Sequence, residues 1–282
     1  MKILISLPSR NRPELLQKSL NALHNFQSDE NEIIYAVGAE KNDIKTLDVV
    51  EKLSWVKLYV EQNQIKSPGQ MWNRCANIER ADCYIAYTDD VICITKDWDK
   101  YIAQYINQGG LVSAFACTFD TEPSNPIVSE RWFNVVGYLY PEHFPFWFCD
   151  TWIKELYMFS TGDYVFINQK IILDGEKGKT QNMRELDWWW GFFNATRKLR
   201  LKEAYNIRMK LKLDTCDFEK FLCKRSKIID FCNKRDRKER KNIPMLELRL
   251  SNNDKPYNNY YEIKQEAINL LKKENLEIWK NI

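Results

Sequence analysis

Residues 84–91 read Tyr-Ile-Ala-Tyr-Thr-Asp-Asp-Val, a short apolar run that ends in two adjacent carboxylates, Asp89 and Asp90. Paired acids where a buried strand stops lose hydration, which is costly unless a cation sits on them. Carboxylate oxygens suit a hard cation, so the pair points to metal-assisted chemistry. The competing reading is a turn, or the cap of a helix over residues 98–106, since Asp is favoured in both places. Asp150, in Phe148-Cys149-Asp150-Thr151-Trp152, carries the same double reading. It suits the N-cap of the helix that follows, and it suits a general base below an aromatic wall. The chain has two histidines, His24 and His143, so acid–base work falls to carboxylates.

The elements that must position these acids begin at the amino terminus. Residues 2–8 read as a buried strand, and Pro13 followed by Leu15, Leu16, Leu20, Leu23 and Phe26 reads as an amphipathic helix with proline in its first turn. Ser9-Arg10-Asn11-Arg12 forms the loop between them. Strands are expected over 32–37, 56–60 and 84–88, a polar loop over 38–43, and helices over 44–53 and 69–80. If these strands are parallel, the first two loops and the acid pair share one edge, the usual ligand edge of an open α/β sheet. Further on, strands are expected over 111–117 and 133–138, then an aromatic loop over 140–148, a helix through 156 and a strand ending at 172. Trp188, Trp189 and Trp190 are consecutive and cannot all face one core, so at least one is expected to line a groove or pack under the basic segment that follows. The last helix is expected over 260–282, with an apolar face that docks on the body or on a partner.

Composition narrows the class. A chain of 282 residues with 44% apolar content can bury a full core. It has no run of roughly 18 apolar residues long enough to span a bilayer, and with its eight scattered cysteines it reads as cytoplasmic, neither secreted nor membrane-spanning, with reduced thiols. The net charge of +3 is uneven: residues 197–241 hold 17 Lys/Arg against 7 Asp/Glu, a local +10, which leaves −7 on the remainder. Such a stretch either meets an anionic partner or forms a solvated helical face. The expected division is a domain over 1–196 and a helical, basic region over 197–282.

The ordered set of segments resembles the GT-A fold nucleotide-sugar glycosyltransferases, particularly the compact family 2-like forms of phages and bacteria. The matching pieces are Ile3-Leu4-Ile5-Ser6-Leu7-Pro8-Ser9-Arg10-Asn11-Arg12-Pro13, Trp72-Asn73, residues 82–91, Trp98-Asp99, Gly137-Tyr138-Leu139-Tyr140-Pro141 and Phe148-Cys149-Asp150-Thr151-Trp152. The resemblance implies a Rossmann-like mixed sheet flanked by helices and a metal-dependent, inverting transfer of a sugar from a nucleotide-sugar donor, expected to be a UDP-sugar, to an acceptor hydroxyl. It implies nucleotide binding by Pro8, Ser9, Arg10, Arg12, Glu40, Asp43, Asn73 and Asp89, and Mn2+ or Mg2+ binding by Asp90. Many relatives place a His after the last core strand as a further ligand. Here that stretch reads Ile172-Leu173-Asp174-Gly175-Glu176, so Asp174 is the substitute. Asp150 matches the catalytic base, and Trp147, Trp152, Trp188 and Trp189 are the candidate acceptor wall.

Two rivals remain. A nucleotidyltransferase shares the α/β layout, but Ser9-Arg10-Asn11-Arg12 lacks the glycines of its phosphate loop. A nucleotide-sugar-binding protein of the same fold with little turnover is the alternative from another class. For the acceptor, a glycan and a hydroxymethylated phage DNA are both compatible with the basic 197–241 segment, the second through backbone charge and base stacking.

Overall fold

A computed structural model describes residues 1–63, 65, 67–117, 125–145, 148–161, 165–173, 186–213 and 260–276. The chain opens with β1 (Lys2–Pro8), α1 (Pro13–Phe26), β2 (Glu32–Glu40), α2 (Ile44–Val50), β3 (Val56–Glu61), α3 (Pro68–Ala76) and β4 (Cys83–Ala86). It continues with β5 (Val91–Cys93), α4 (Trp98–Asn107), β6 (Val112–Cys117), β7 (Pro126–Ser129), α5 (Glu130–Val136), α6 (Cys149–Ser160) and β8 (Val165–Leu173). Three further helices are α7 (Leu186–Ala195), α8 (Arg197–Lys210) and α9 (Tyr260–Lys273).

One eight-stranded sheet runs in the order β3-β2-β1-β4-β7-β6-β8-β5. The neighbours β3-β2-β1-β4 are parallel, β7 is antiparallel to β4 and β6, β8 is parallel to β6, and β5 closes the edge antiparallel to β8. Alternation along β1 explains the two layers. Ile3, Ile5 and Leu7 join Leu16, Leu20, Leu23, Trp98 and Ile102 on the α1/α4 face. Leu4 joins Met71, Cys75, Trp132, Trp152 and Phe192 on the other face, where α3 and α5 to α9 pack. Burial on both faces is what a parallel sheet requires and why these strands read as nearly continuous apolar runs.

Several expectations need correction. Residues 133–138 are not a strand: α5 covers them up to Val136, with Ser129 capping it by accepting from the Trp132 N–H. Gly137, at φ 87°, ends the helix in a left-handed conformation that suits glycine. The aromatic and β-branched content suggested a strand, whereas the cap, the glycine stop and burial of Trp132 and Phe133 favour a helix. Residues 38–40 are not loop but the end of β2, because Glu40 pairs in register with Glu61 of β3. Neither Asp89 nor Asp90 caps α4, since Asp97 stands at that position. The acid pair instead lies in the turn between β4 and β5.

Among the described residues no helix is long and apolar enough to cross a membrane. Cys75, Cys83, Cys93 and Cys149 are free and buried.

Candidate active site

The strand registers set the site. Pro8 pairs with Gly38, Ser6 with Ala86 and Glu40 with Glu61, so β1, β2, β3 and β4 finish at one edge and their loops converge there. The Ser9 N–H donates to the Gly38 carbonyl at 2.9 Å, tying the first loop to β2. Asn11, in a left-handed conformation with φ 55°, turns its N–H onto Asp43 Oδ2 at 2.6 Å. Asp43 also caps α2 by accepting from the Thr46 N–H.

From this anchored loop Ser9 Oγ donates to Asp89 Oδ2 at 2.7 Å. Arg12 Nη1 reaches Asp89 Oδ1 at 3.0 Å and Asp90 Oδ2 at 3.3 Å, placing one guanidinium across both acids. The two carboxylates differ in exposure: the Asp89 side chain is 9% accessible and that of Asp90 31%. Burial raises the Asp89 pKa above the ordinary carboxylate value, against the opposing pull of the Arg12 charge and the Ser9 hydrogen bond. Asp89 is thus the inner member, held by protein donors, and Asp90 is the member turned toward solvent.

Glu40 is buried, accepts from the Ile65 N–H at 3.4 Å and pairs with Arg10 Nε at 3.5 Å. Trp72 Nε1 donates to the Tyr87 carbonyl at 2.9 Å, fastening α3 to the end of β4. Asn73 belongs to a different task. Its Oδ1 accepts from the N–H groups of Leu139 and Tyr140, and its Nδ2 donates to the Tyr140 carbonyl and to Glu142 Oε1. All four contacts hold the 139–142 loop.

Asp150 does not cap α6. Phe148, at φ 74°, occupies the cap, and Asp150 follows in the first turn, half-buried, accepting from the Thr151 N–H at 2.7 Å and from Thr151 Oγ1 at 3.3 Å. Its neighbour Cys149 points its thiol at the Pro141 carbonyl. A Cβ on Gly69 would lie 2.8 Å from that same carbonyl oxygen, so glycine permits the 141–142 loop to rest on the first turn of α3. That turn follows the end of β3, which places the start of α6 on the strand-end side of the molecule.

The tryptophans separate. Trp152 is buried, donates to the Tyr138 hydroxyl at 3.1 Å and lies under Arg200. Trp189 is buried and donates to the Tyr260 hydroxyl at 3.1 Å, fixing α9 to α7. Trp188 and Trp190 are half-buried against the same apolar cluster, so of the three consecutive indoles the middle one lies in the core and the two beside it keep part of their surface exposed. Trp147 and Asp174 lie outside the described residues, as does the 214–241 part of the basic segment.

A cavity of about 800 Å³ opens beside α3, lined in part by Tyr59, Arg74, Asn77, Tyr138, Trp152 and Glu203. Of its lining, sequence reasoning singled out Asn73 and Trp152 and missed the rest, because the wall comes from β3, α3, the 137–143 loop, α6 and α8, with no local pattern to join them.

Among the described residues no group of three or more His, Cys, Asp or Glu side chains comes together to cage a metal. Asp90 with Asp89 behind it nevertheless fits a divalent ion of the substrate-bridged kind, in which one or two carboxylates are supplemented by phosphate oxygens and water.

The mixed α/β fold, with its parallel β3-β2-β1-β4 half, is similar to that of solved GT-A glycosyltransferases. Residues 1–349 of S. aureus TarS, solved with UDP-GlcNAc, match with a TM-score of 0.58 at 14% identity over 74% of this chain and 70% of that one. The mannosyltransferase PcManGT from Pyrobaculum calidifontis, solved with GDP-Man and Mn2+, matches with a TM-score of 0.51 at 10% identity over 80% of this chain and 79% of that one. No protein-family model and no curated protein sequence matches the chain.

Proposed function

We propose that this protein is a metal-dependent, inverting glycosyltransferase that moves a sugar from a nucleotide-sugar donor to an acceptor hydroxyl. The observation that carries the reading is the acid pair at the strand-end edge: Asp89 is locked by Ser9 and Arg12 while Asp90 faces outward, within a fold whose solved neighbours hold UDP-GlcNAc and GDP-Man with Mn2+. Catalysts of this kind must offset negative charge that develops on the departing diphosphate. Arg12, held across the two acids, and Arg10, paired with Glu40, supply cationic groups in the donor loop. A bound Mn2+ or Mg2+ on Asp90 would supply Lewis-acid neutralisation of the diphosphate. Glu40 and Asp43 are the candidate contacts to base or ribose, and a UDP-sugar is the favoured donor.

Asp150 is the proposed general base. It accepts the proton of the acceptor hydroxyl while that oxygen forms its bond to the anomeric carbon, and the bond from that carbon to the phosphate oxygen breaks on the opposite face. Configuration inverts, the nucleoside diphosphate leaves with the electron pair, and the proton resides on Asp150. A glycan acceptor is preferred to modified DNA. Within the described part of the basic segment Lys198, Lys202, Lys210 and Lys212 are exposed, but Arg200 is buried in an ion pair, so the preference rests on the GT-A-like fold rather than on this charge.

The test is consumption of a panel of nucleotide sugars, UDP-sugars first, with and without added Mn2+, by the native chain and by Asp90→Ala. Release of nucleoside diphosphate that depends on Mn2+ and is lost in the variant is expected. If no nucleotide sugar is consumed and Asp90→Ala leaves nucleotide affinity unchanged, the enzyme reading fails.

A further inference from the structure

The lining of the cavity beside α3 includes none of Ser9, Arg12, Asp89 and Asp90, and its chemistry differs from theirs. Its volume of about 800 Å³ falls within the range of small-molecule sites. Four aromatic side chains, Tyr59, Tyr138, Tyr140 and Trp152, contribute to its wall. Two carboxylates face it, and each is fixed by a neighbour: Glu142 Oε1 accepts from Asn73 Nδ2 at 3.0 Å, and Glu203 Oε1 accepts from the Tyr138 hydroxyl at 2.5 Å. A carboxylate has about four acceptor positions, so each keeps capacity for further donors. Asn77 adds an amide at the end of α3. The cation in the lining, Arg74, is ion-paired with Glu61 of β3.

We propose that this cavity binds a neutral oligosaccharide, and that this is the acceptor. The inference rests on the glycosyltransferase reading above. The half-buried rings of Tyr59 and Tyr138 match the apolar C–H faces of sugar rings, and pre-positioned carboxylate and amide groups match their hydroxyls. Two carboxylates against one already neutralised guanidinium disfavour phosphate, sulfate or a nucleic-acid backbone. The lining also meets the start of α6, the helix that carries the proposed base: the carbonyl of Pro141 accepts from the thiol of Cys149, one residue before Asp150. Trp152 lies two residues beyond Asp150 on α6, and the lining residues Pro141 and Glu142 belong to the loop that rests on the first turn of α3.

The experiment probes the full chain against an array of neutral, sulfated and sialylated oligosaccharides. The best neutral binder is then titrated calorimetrically against the native protein, Glu203→Gln and Asn77→Lys, with UDP titrated in parallel. We expect neutral oligosaccharides to bind, and each variant to weaken them by about tenfold through a lost hydrogen bond or an obstructed wall. UDP affinity should stay within about twofold, since neither residue contacts the donor loop. The variants lie on α8 and at the end of α3, so misfolding of one leaves the other informative. The proposal is overturned if no neutral oligosaccharide binds, if anionic ones bind better, or if both variants bind like the native chain. UDP binding without oligosaccharide binding removes this inference alone. Oligosaccharide binding without consumption of any nucleotide sugar removes the enzyme reading and leaves the cavity a binding site.

Discussion

Two guanidinium–carboxylate clusters in this chain share their chemistry and differ in their surroundings. Arg200 is 1% exposed: its Nε meets Glu155 Oε2 at 2.6 Å, its Nη1 donates to the Phe193 carbonyl at 2.6 Å and to Thr196 Oγ1 at 3.1 Å, and the Phe193 ring lies 3.7 Å away. It binds α6 to α7 and α8 and leaves no room for a ligand. Arg12 has a side chain 34% accessible to solvent and bridges two acids at the sheet edge. Burial converts the first cluster into a fastener, whereas access to solvent leaves the second able to exchange one of its partners for a ligand.

The sharpest way to break this comparison is to delete each arginine. Arg200→Ala should cost about 3–5 kcal/mol, because Glu155 is left buried without its counter-charge. Arg12→Ala should cost less, about 1–3 kcal/mol, because buried Asp89 loses its counter-charge but keeps the Ser9 hydrogen bond, and Asp90 is solvent-accessible. Urea unfolding of both variants measures the gap, and comparable losses would abolish the distinction. The converse holds for activity. Asp90→Ala should lower Mn2+-dependent release of nucleoside diphosphate by about a hundredfold or more, as expected when a stabiliser of developing charge is removed. Its thermal midpoint should change little, since Asp90 is the outward member of the pair.

Asn73 sharpens the boundary between the two regions, because it lies in α3 beside the donor loop yet spends its amide on the 139–142 loop. Asn73→Ala should destabilise by about 1–3 kcal/mol through unsatisfied backbone groups. Nucleotide affinity measured by calorimetry should fall by a smaller factor than in Arg12→Ala. The smallest effect concerns pH. Burial raises the Glu203 pKa, with the Tyr138 hydrogen bond and the Arg200 charge opposing it. The native state therefore holds this proton to higher pH than the unfolded chain does. Its contribution to stability is most favourable below the ordinary carboxylate pKa, about 4.3, and declines as pH rises through the folded value. Glu203→Gln should flatten that decline in urea midpoints measured from about pH 4 upward.

What the sequence alone determined was local and periodic. The apolar runs of β1, β2 and β4, the proline-started α1 and the acid pair beyond β4 were legible because each strand is buried on both faces and each helix has one apolar stripe. Those patterns put Ser9, Arg12, Asp89 and Asp90 on one edge only on the condition that the strands run parallel, which the registers of β1 with β2 and β4 supply. Tertiary structure decided the rest. That residues 133–136 are helical depends on a cap at Ser129, a stop at Gly137 and burial of Trp132 and Phe133 against the sheet. That Asn73 holds a loop, that Arg200 is a core residue within a basic stretch, and that a cavity follows α3 all depend on contacts between segments far apart in the chain. Such contacts leave no periodic trace in sequence, because a side chain's partner is set by packing and burial rather than by its neighbours along the chain.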